Sequence, residues 1–190
     1  LLEEAFLRSG QPYRLVGAQR FYGRREVKDL IAYLRLALNP DDELSLVRAI
    51  GTPPRGIGDK TLDTLRAAAA QNRTSPGQAL ISLGSQGEES PYWGAFRGRG
   101  AALLADFGGQ LAGWASAAEG IPLPILFDRI VDEIGYREYI LDESEEGQDR
   151  WENVQELRRI AYEYENRGLA AFLENLALVS DQDTVPENQE

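Results

Sequence analysis

Beyond residue 24 the apolar residues of this chain recur three or four positions apart, the period a helix needs to bury one face. In RREVKDLIAYLRLALNP the stripe is Val27, Leu30, Ile31, Leu34 and Leu38, stopped by Asn39-Pro40. DDELSLVRAI opens with acidic residues that complement a helix dipole. SPGQALISL has Ser75 at the cap, Pro76 at the first helical position and Gln78 three after the cap, a capping-box start. Residues 84–100 are rich in Gly, Ser and Pro and are expected to form a long surface loop. Leu104, Phe107, Leu111, Trp114 and Ala118 mark the next helix, in which Gly108 and Gly109 are each expected to lose about 1 kcal/mol relative to Ala. IPLPILFDRIVDEIG and QDRWENVQELRRIAYEYENRG each end at a glycine suited to a left-handed cap, Gly135 and Gly168. In the second, Trp151, Val154, Leu157, Ala161 and Tyr164 form the expected buried stripe. LAAFLENLALVSD is the last helix, and the polar QDTVPENQE after it reads as disordered. Only the start departs from this pattern: LLEEAFLRSG is a short helix closed by Gly10, and PYRLVG alternates as a single strand does. The expected fold is all-α, many-helixed, with one short strand near the N-terminus.

The chain has 190 residues, enough for one domain, or one and a small part, with a proper core. It holds no cysteine and no histidine, which removes disulfides, thiolate chemistry and the commonest general base. It also holds no methionine and opens on LLEEAF, so it reads as a piece of something longer. No apolar run approaches the ~20 residues that span a bilayer, so no membrane partner is expected. Net charge is −11, unusual for a generic nucleic-acid binder, but it is unevenly spread. Residues 1–100 hold 14 Lys/Arg against 11 Asp/Glu, while residues 101–190 hold 6 against 20.

The basic half contains PPRGIGDKT, residues 53–61, between two helical patterns. Glycines at 56 and 58 accept positive φ and allow a ligand to approach the backbone. Amides at the start of the following helix point outward with the positive end of its dipole behind them, a ready anion site. Lys60 and the Thr61 hydroxyl lie in that first turn, and Arg55 precedes it. A phosphate-gripping helix-hairpin-helix and a plain turn are even alternatives on this local chemistry, with Asp59 opposing binding unless it caps the helix.

RFYGRREVK sets Arg20, Arg24, Arg25 and Lys28 beside Phe21 and Tyr22. A solvated helix start with its aromatics in the core fits this, and so does a secondary contact to nucleic acid. LDESEEGQD echoes the first half of a calcium loop, but Asn153 stands where that loop needs a bidentate Glu, so no metal site is expected. No Gly-Lys-Ser/Thr occurs, hence no P-loop, and no catalytic constellation is present.

The block PYRLVGAQRFYGRREVKDLIAYLRLALNPDDELSLVRAIGTPPRGIGDKTLDTL resembles the UvrD/PcrA/Rep family of superfamily 1 DNA helicases almost continuously. IGYREYI, DRWENVQEL and LAAFLENLALVSD follow in the family's order; the resemblance is weakest over residues 84–120 and in the tail. It implies subdomain 2B, a helical insertion in the second motor lobe. Residues 1–20 would be a remnant of lobe 2A, residues 21–180 the 2B domain, and residues 181–190 a disordered linker back to the motor. The parent would be an ATP-dependent 3′-to-5′ helicase of the bacterial cytoplasm, using ATP and Mg²⁺, while this piece would hold no cofactor and no ATPase residue. The same resemblance implies that Gly56, Ile57, Gly58, Lys60 and Thr61, with Arg55 beside them, contact the phosphate backbone of duplex DNA at a fork. It also implies that Arg150, Glu152 and Asn153 fix helix packing or the junction with the motor. Arg20, Arg24 and Arg25 are secondary candidates for DNA or motor contact. The competing expectation is a protein-interaction or autoinhibitory module, facing the motor lobes or a repair or replication protein, with little DNA affinity of its own.

Overall fold

The computed structural model describes residues 21–181, and the early strand, its preceding helix, Arg20 and the tail beyond 181 lie outside that span. Among the described residues the fold is all-α, with nine α-helices, two short 3-10 turns and no strand. In chain order the helices are α1 (Arg25–Leu38), α2 (Glu43–Gly51), α3 (Asp59–Gln71), α4 (Pro76–Gln86), α5 (Gly100–Ala117), α6 (Leu123–Glu133), α7 (Tyr136–Ile140), α8 (Glu145–Tyr162) and α9 (Gly168–Asp181).

Local chemistry accounts for most of these boundaries. Asp42, Ser75 and Ser144 each accept a hydrogen bond from the amide three residues on, capping α2, α4 and α8. Gly135 adopts positive φ just past the end of α6, as expected; Gly168 also has positive φ, but α8 has already ended at Tyr162, so Gly168 opens α9 and does not cap α8. The box expected at α4 is only half made: the Gln78 amide bonds Ser75 Oγ, but the Gln78 side chain donates to Asp41 Oδ1 at 3.1 Å. It therefore ties α4 to the α1–α2 connection.

α1 is the central helix, packed against α2, α5, α6, α8 and α9. It is buried on nearly every side, and two carboxylates, Glu26 and Asp29, are buried with its apolar residues. Leu38 alone of its expected stripe is exposed. Tyr33 meets Phe107 and Trp114 edge-on, with ring centroids 6.4 and 5.7 Å away, and the Trp114 indole donates to Glu133 Oε2 at 2.7 Å.

α4 and α5 form the closest helix pair, and glycines make the approach possible. A Cβ on Gly108 would lie 2.0 Å from the Leu80 carbonyl oxygen, and one on Gly84 would lie 2.1 Å from the Gly109 nitrogen. Gly108 is thus required by packing, which corrects its reading as a simple weakness of α5. The stretch 84–100 also departs from a surface loop. α4 runs on to Gln86, 3-10 turns follow at Gly87–Glu89 and Trp93–Ala95, and Ser90 and Tyr92 are buried.

Candidate nucleic-acid interface

The stretch 52–58 joins α2 to α3, and it is held from inside. Arg55 turns toward the protein interior: its Nη1 donates to the carbonyls of Ala49 and Pro53 at 2.6 and 2.9 Å. Its Nη2 donates to the Tyr33 hydroxyl at 2.6 Å, and the guanidinium lies 4.6 Å from the centre of the Phe107 ring. The Tyr33 hydroxyl shares its own proton between the carbonyls of Ala49 and Thr52, at 2.8 and 2.6 Å. Burial pushes the Tyr33 phenol up to about 12, with Arg55 partly opposing. The Thr52–Pro53 peptide bond is cis. Ile57 is half-buried and packs on the core, which pins the tip of the turn.

The two glycines differ. Gly56 has φ +73°, the left-handed region that disfavours any side chain, and its Cβ position lies 3.7 Å from Leu103. Gly58 has φ −90° and ψ 171°, an extended conformation open to every residue, and a Cβ there would meet nothing within 4 Å. The fold therefore requires glycine at 56 and leaves 58 free.

Gly58 is the cap residue of α3, and no side chain caps that helix. The Asp59 and Lys60 amides have no acceptor among the described residues, so they stay available at the positive end of the dipole. Asp59 is the first helical residue and not its cap. Lys60 is exposed and forms no ion pair among the described residues. The neighbouring carboxylates Glu43 and Asp63 are both engaged by Arg66, at 2.6 and 3.2 Å. Thr61 is half-buried, its methyl 3.6 Å from a Cβ position on Gly100. The structure thus gathers Gly58, Asp59, Lys60 and Thr61 at one helix start, with Arg55 behind them as the anchor. α2 and α3 barely touch each other, packing instead on α1 and α4 and linked across by Glu43 and Arg66.

Arg24 and Arg25 lie elsewhere. They begin α1, eight residues or more before Tyr33 and so about 12 Å along the axis. Arg24 donates to Asn153 Oδ1 and Arg25 to the Tyr139 hydroxyl at 2.9 Å. Phe21 and Tyr22 pack against the core, and burial pushes the Tyr22 phenol up. A polar network missed from the sequence lies beside them. Asp29 accepts from Arg48 at 2.7 Å and from the Tyr136 hydroxyl at 2.9 Å, and Glu26 accepts from Asn153 Nδ2 at 2.7 Å. Burial pushes the Tyr136 phenol far up, with Asp29 adding to the shift. Arg150 pairs with Glu146 one turn back on α8. The described residues contain no group of three or more acidic side chains placed to hold a metal.

Residues 1–75, which include α1, α2, the turn and α3, match the family model of the UvrD-like helicase C-terminal domain. Over nearly its whole length the chain is similar in sequence to a segment of helicases of the UvrD/PcrA type. It is 36% identical over 186 residues to DNA helicase II of Escherichia coli strain K12, covering 94% of this chain and 25% of that protein. It is 32% identical over 195 residues to ATP-dependent DNA helicase PcrA of Bacillus subtilis strain 168, covering 100% and 25%. PcrA of Staphylococcus aureus strain COL is 33% identical over 190 residues. The chain therefore spans about a quarter of the length of these curated relatives.

Proposed function

We propose that this chain is a non-catalytic, duplex-binding domain of an ATP-dependent DNA helicase, the 2B subdomain, formed by residues 21–180 and attached to the motor through residues 1–20 and 181–190. The observation that carries the reading is Gly58. Neither its φ nor its surroundings require glycine, and with no side chain there the uncapped start of α3 is left open to a strand backbone laid against it. The amides of Asp59 and Lys60, the Lys60 ammonium and the Thr61 hydroxyl would grip one phosphate, and Arg55 would hold their geometry by fixing the turn. Such contacts position a protein on DNA without reading sequence, as a module at a moving fork requires. ATP, Mg²⁺ and the hydrolysis step would belong to the motor lobes of the parent helicase.

A groove between α1, α2 and α9, of about 330 Å³, favours a second contact, with the motor lobes or a protein partner. It combines the cations Lys28, Arg35 and Arg48 with Leu44, whose side chain is left largely in solvent.

The test is a duplex titration at several salt concentrations. The slope of log affinity against log salt is expected between about −1 and −3, and Lys60→Ala should flatten it by about one for every sequence alike. An unchanged slope in a folded Lys60→Ala protein would hand the lead to the protein-contact reading.

A further inference from the structure

We propose that the duplex contact extends onto a second basic element, Arg97 and Arg99 at the start of α5, so that the interface grips about three phosphates; this rests on the reading of the Gly58–Thr61 turn as the first contact. The sequence stretch FRGRG carries two arginines on either side of Gly98, which has φ +65° and nothing within 4 Å of its Cβ position. Both arginines are exposed, and neither forms an ion pair among the described residues. In this they differ from Arg48, Arg66, Arg129, Arg150, Arg158 and Arg159, each of which meets a carboxylate.

Their position in the fold gives them a role. The 3-10 turn Trp93–Ala95 packs against both α3 and α5 and brings the two helix starts together. The Thr61 methyl lies 3.6 Å from the Cβ position of Gly100, the first residue of α5, and the Leu103 side chain lies 3.7 Å from that of Gly56. α5, like α3, begins without a side-chain cap. Two positive helix ends thus lie side by side, and the residues that form them carry three exposed cations, Lys60, Arg97 and Arg99, against a single carboxylate, Asp59, within residues 56–61 and 96–100. Like charges held side by side repel, and nothing in residues 56–61 or 96–100 beyond Asp59 offsets them. A polyanion with a regular charge spacing would. On each strand a duplex carries one charge per ~3.4 Å of its axis, so a face ~8–10 Å long measured along that axis meets about three phosphates. The contact is made to the phosphate backbone and carries no base readout.

The experiment compares Lys60→Ala, the double variant Arg97→Ala/Arg99→Ala, and Arg97→Lys/Arg99→Lys in salt-dependent binding to a blunt DNA duplex. Arg73→Ala, beyond the far end of α3, controls for net charge. The unaltered chain should show a slope near −3, and Arg97→Ala/Arg99→Ala should bring it to about −1 while weakening binding at least ~10-fold at low salt. The lysine pair should keep most of the slope, and Arg73→Ala should leave it where it was. An unchanged slope in Arg97→Ala/Arg99→Ala, with Lys60→Ala still weakened, overturns this inference and leaves the first contact standing. Loss equalled by Arg73→Ala also overturns it, since net charge alone would then explain the effect. If neither Lys60→Ala nor the double variant changes binding, both readings fall.

Discussion

Two adjacent glycines in α5 should respond to alanine in opposite directions. Helix propensity alone says that Gly108→Ala and Gly109→Ala each stabilise by up to ~1 kcal/mol. At Gly109 the nearest atom to the new Cβ is 3.9 Å away, so that gain should be realised. At Gly108 the Cβ would lie 2.0 Å from the Leu80 carbonyl oxygen, 2.8 Å from its carbon and 3.1 Å from the Gly84 nitrogen. All three are backbone atoms, and no side chain can swing aside. Restoring an ordinary contact of 3.4 Å requires α4 and α5 to part by at least 1.4 Å at that point. A gap of ~1 Å already forfeits up to about half of each dispersion contact it crosses, and Leu80, Leu83, Leu104 and Phe107 are fully buried along these helices. Set against the propensity gain, we expect Gly108→Ala to destabilise by about 2–4 kcal/mol. At ~2–4 °C per kcal/mol for a chain of this size, Tm should fall by about 5–15 °C, while Gly109→Ala raises it by a few degrees. Thermal melts followed by circular dichroism read both. A Gly108→Ala protein melting at or above the parent would refute the close crossing of α4 and α5.

Four further outcomes follow from the turn and from the network beneath α1. Tyr33→Phe removes the hydroxyl between Arg55 and the carbonyls of Ala49 and Thr52, and should lower stability in urea by about 1–3 kcal/mol. The same hydroxyl gives an alkaline limb. Unfolded, its phenol ionises near 10.0, and folded it holds its proton to about 12. The folded state therefore binds more protons in between, and stability present in full below pH 10 is lost as pH rises to 12, by about 2–3 kcal/mol; Tyr33→Phe should flatten that limb. Gly56→Ala should destabilise by about 1–2 kcal/mol, because φ +73° is left-handed, whereas Gly58→Ala should stay within ~0.5 kcal/mol. Asp29→Ala strips Arg48 and Tyr136 of their shared acceptor and should lower stability by about 2–4 kcal/mol, with α7 loosening first in hydrogen exchange.

Period and punctuation made most of the helices legible. Leu104, Phe107, Leu111 and Trp114 are all buried as their spacing requires, and Gly135 takes the left-handed conformation its position after α6 demands. These are local signals, carried by residues within a turn or two of each other. Contacts across the chain were not legible. Arg55 reads as a free cation in PPRGIG because Tyr33 and Phe107, which engage it, lie 22 and 52 residues away. Gly108 reads as a helix defect for the same reason, since the Leu80 carbonyl that requires it belongs to another helix. The conformations of Gly56 and Gly58 look equivalent in the sequence and prove opposite, because φ is set by how the turn docks on the core. Arg97 and Arg99 sit in a stretch whose composition signals only loop, and the 3-10 turn that carries them to α3 has no sequence period to reveal it.

The central claim is that duplex phosphate meets the backbone at the start of α3, and amide resonances of the labelled chain test it directly. On titration with a short blunt duplex at low salt, the Gly58, Asp59, Lys60 and Thr61 amides should shift together and saturate at one affinity. The amides of α6, α8 and α9 should hold still. Shifts confined to the α1–α2–α9 groove or the acidic helices, with the amides of residues 58–61 unmoved, would contradict the account.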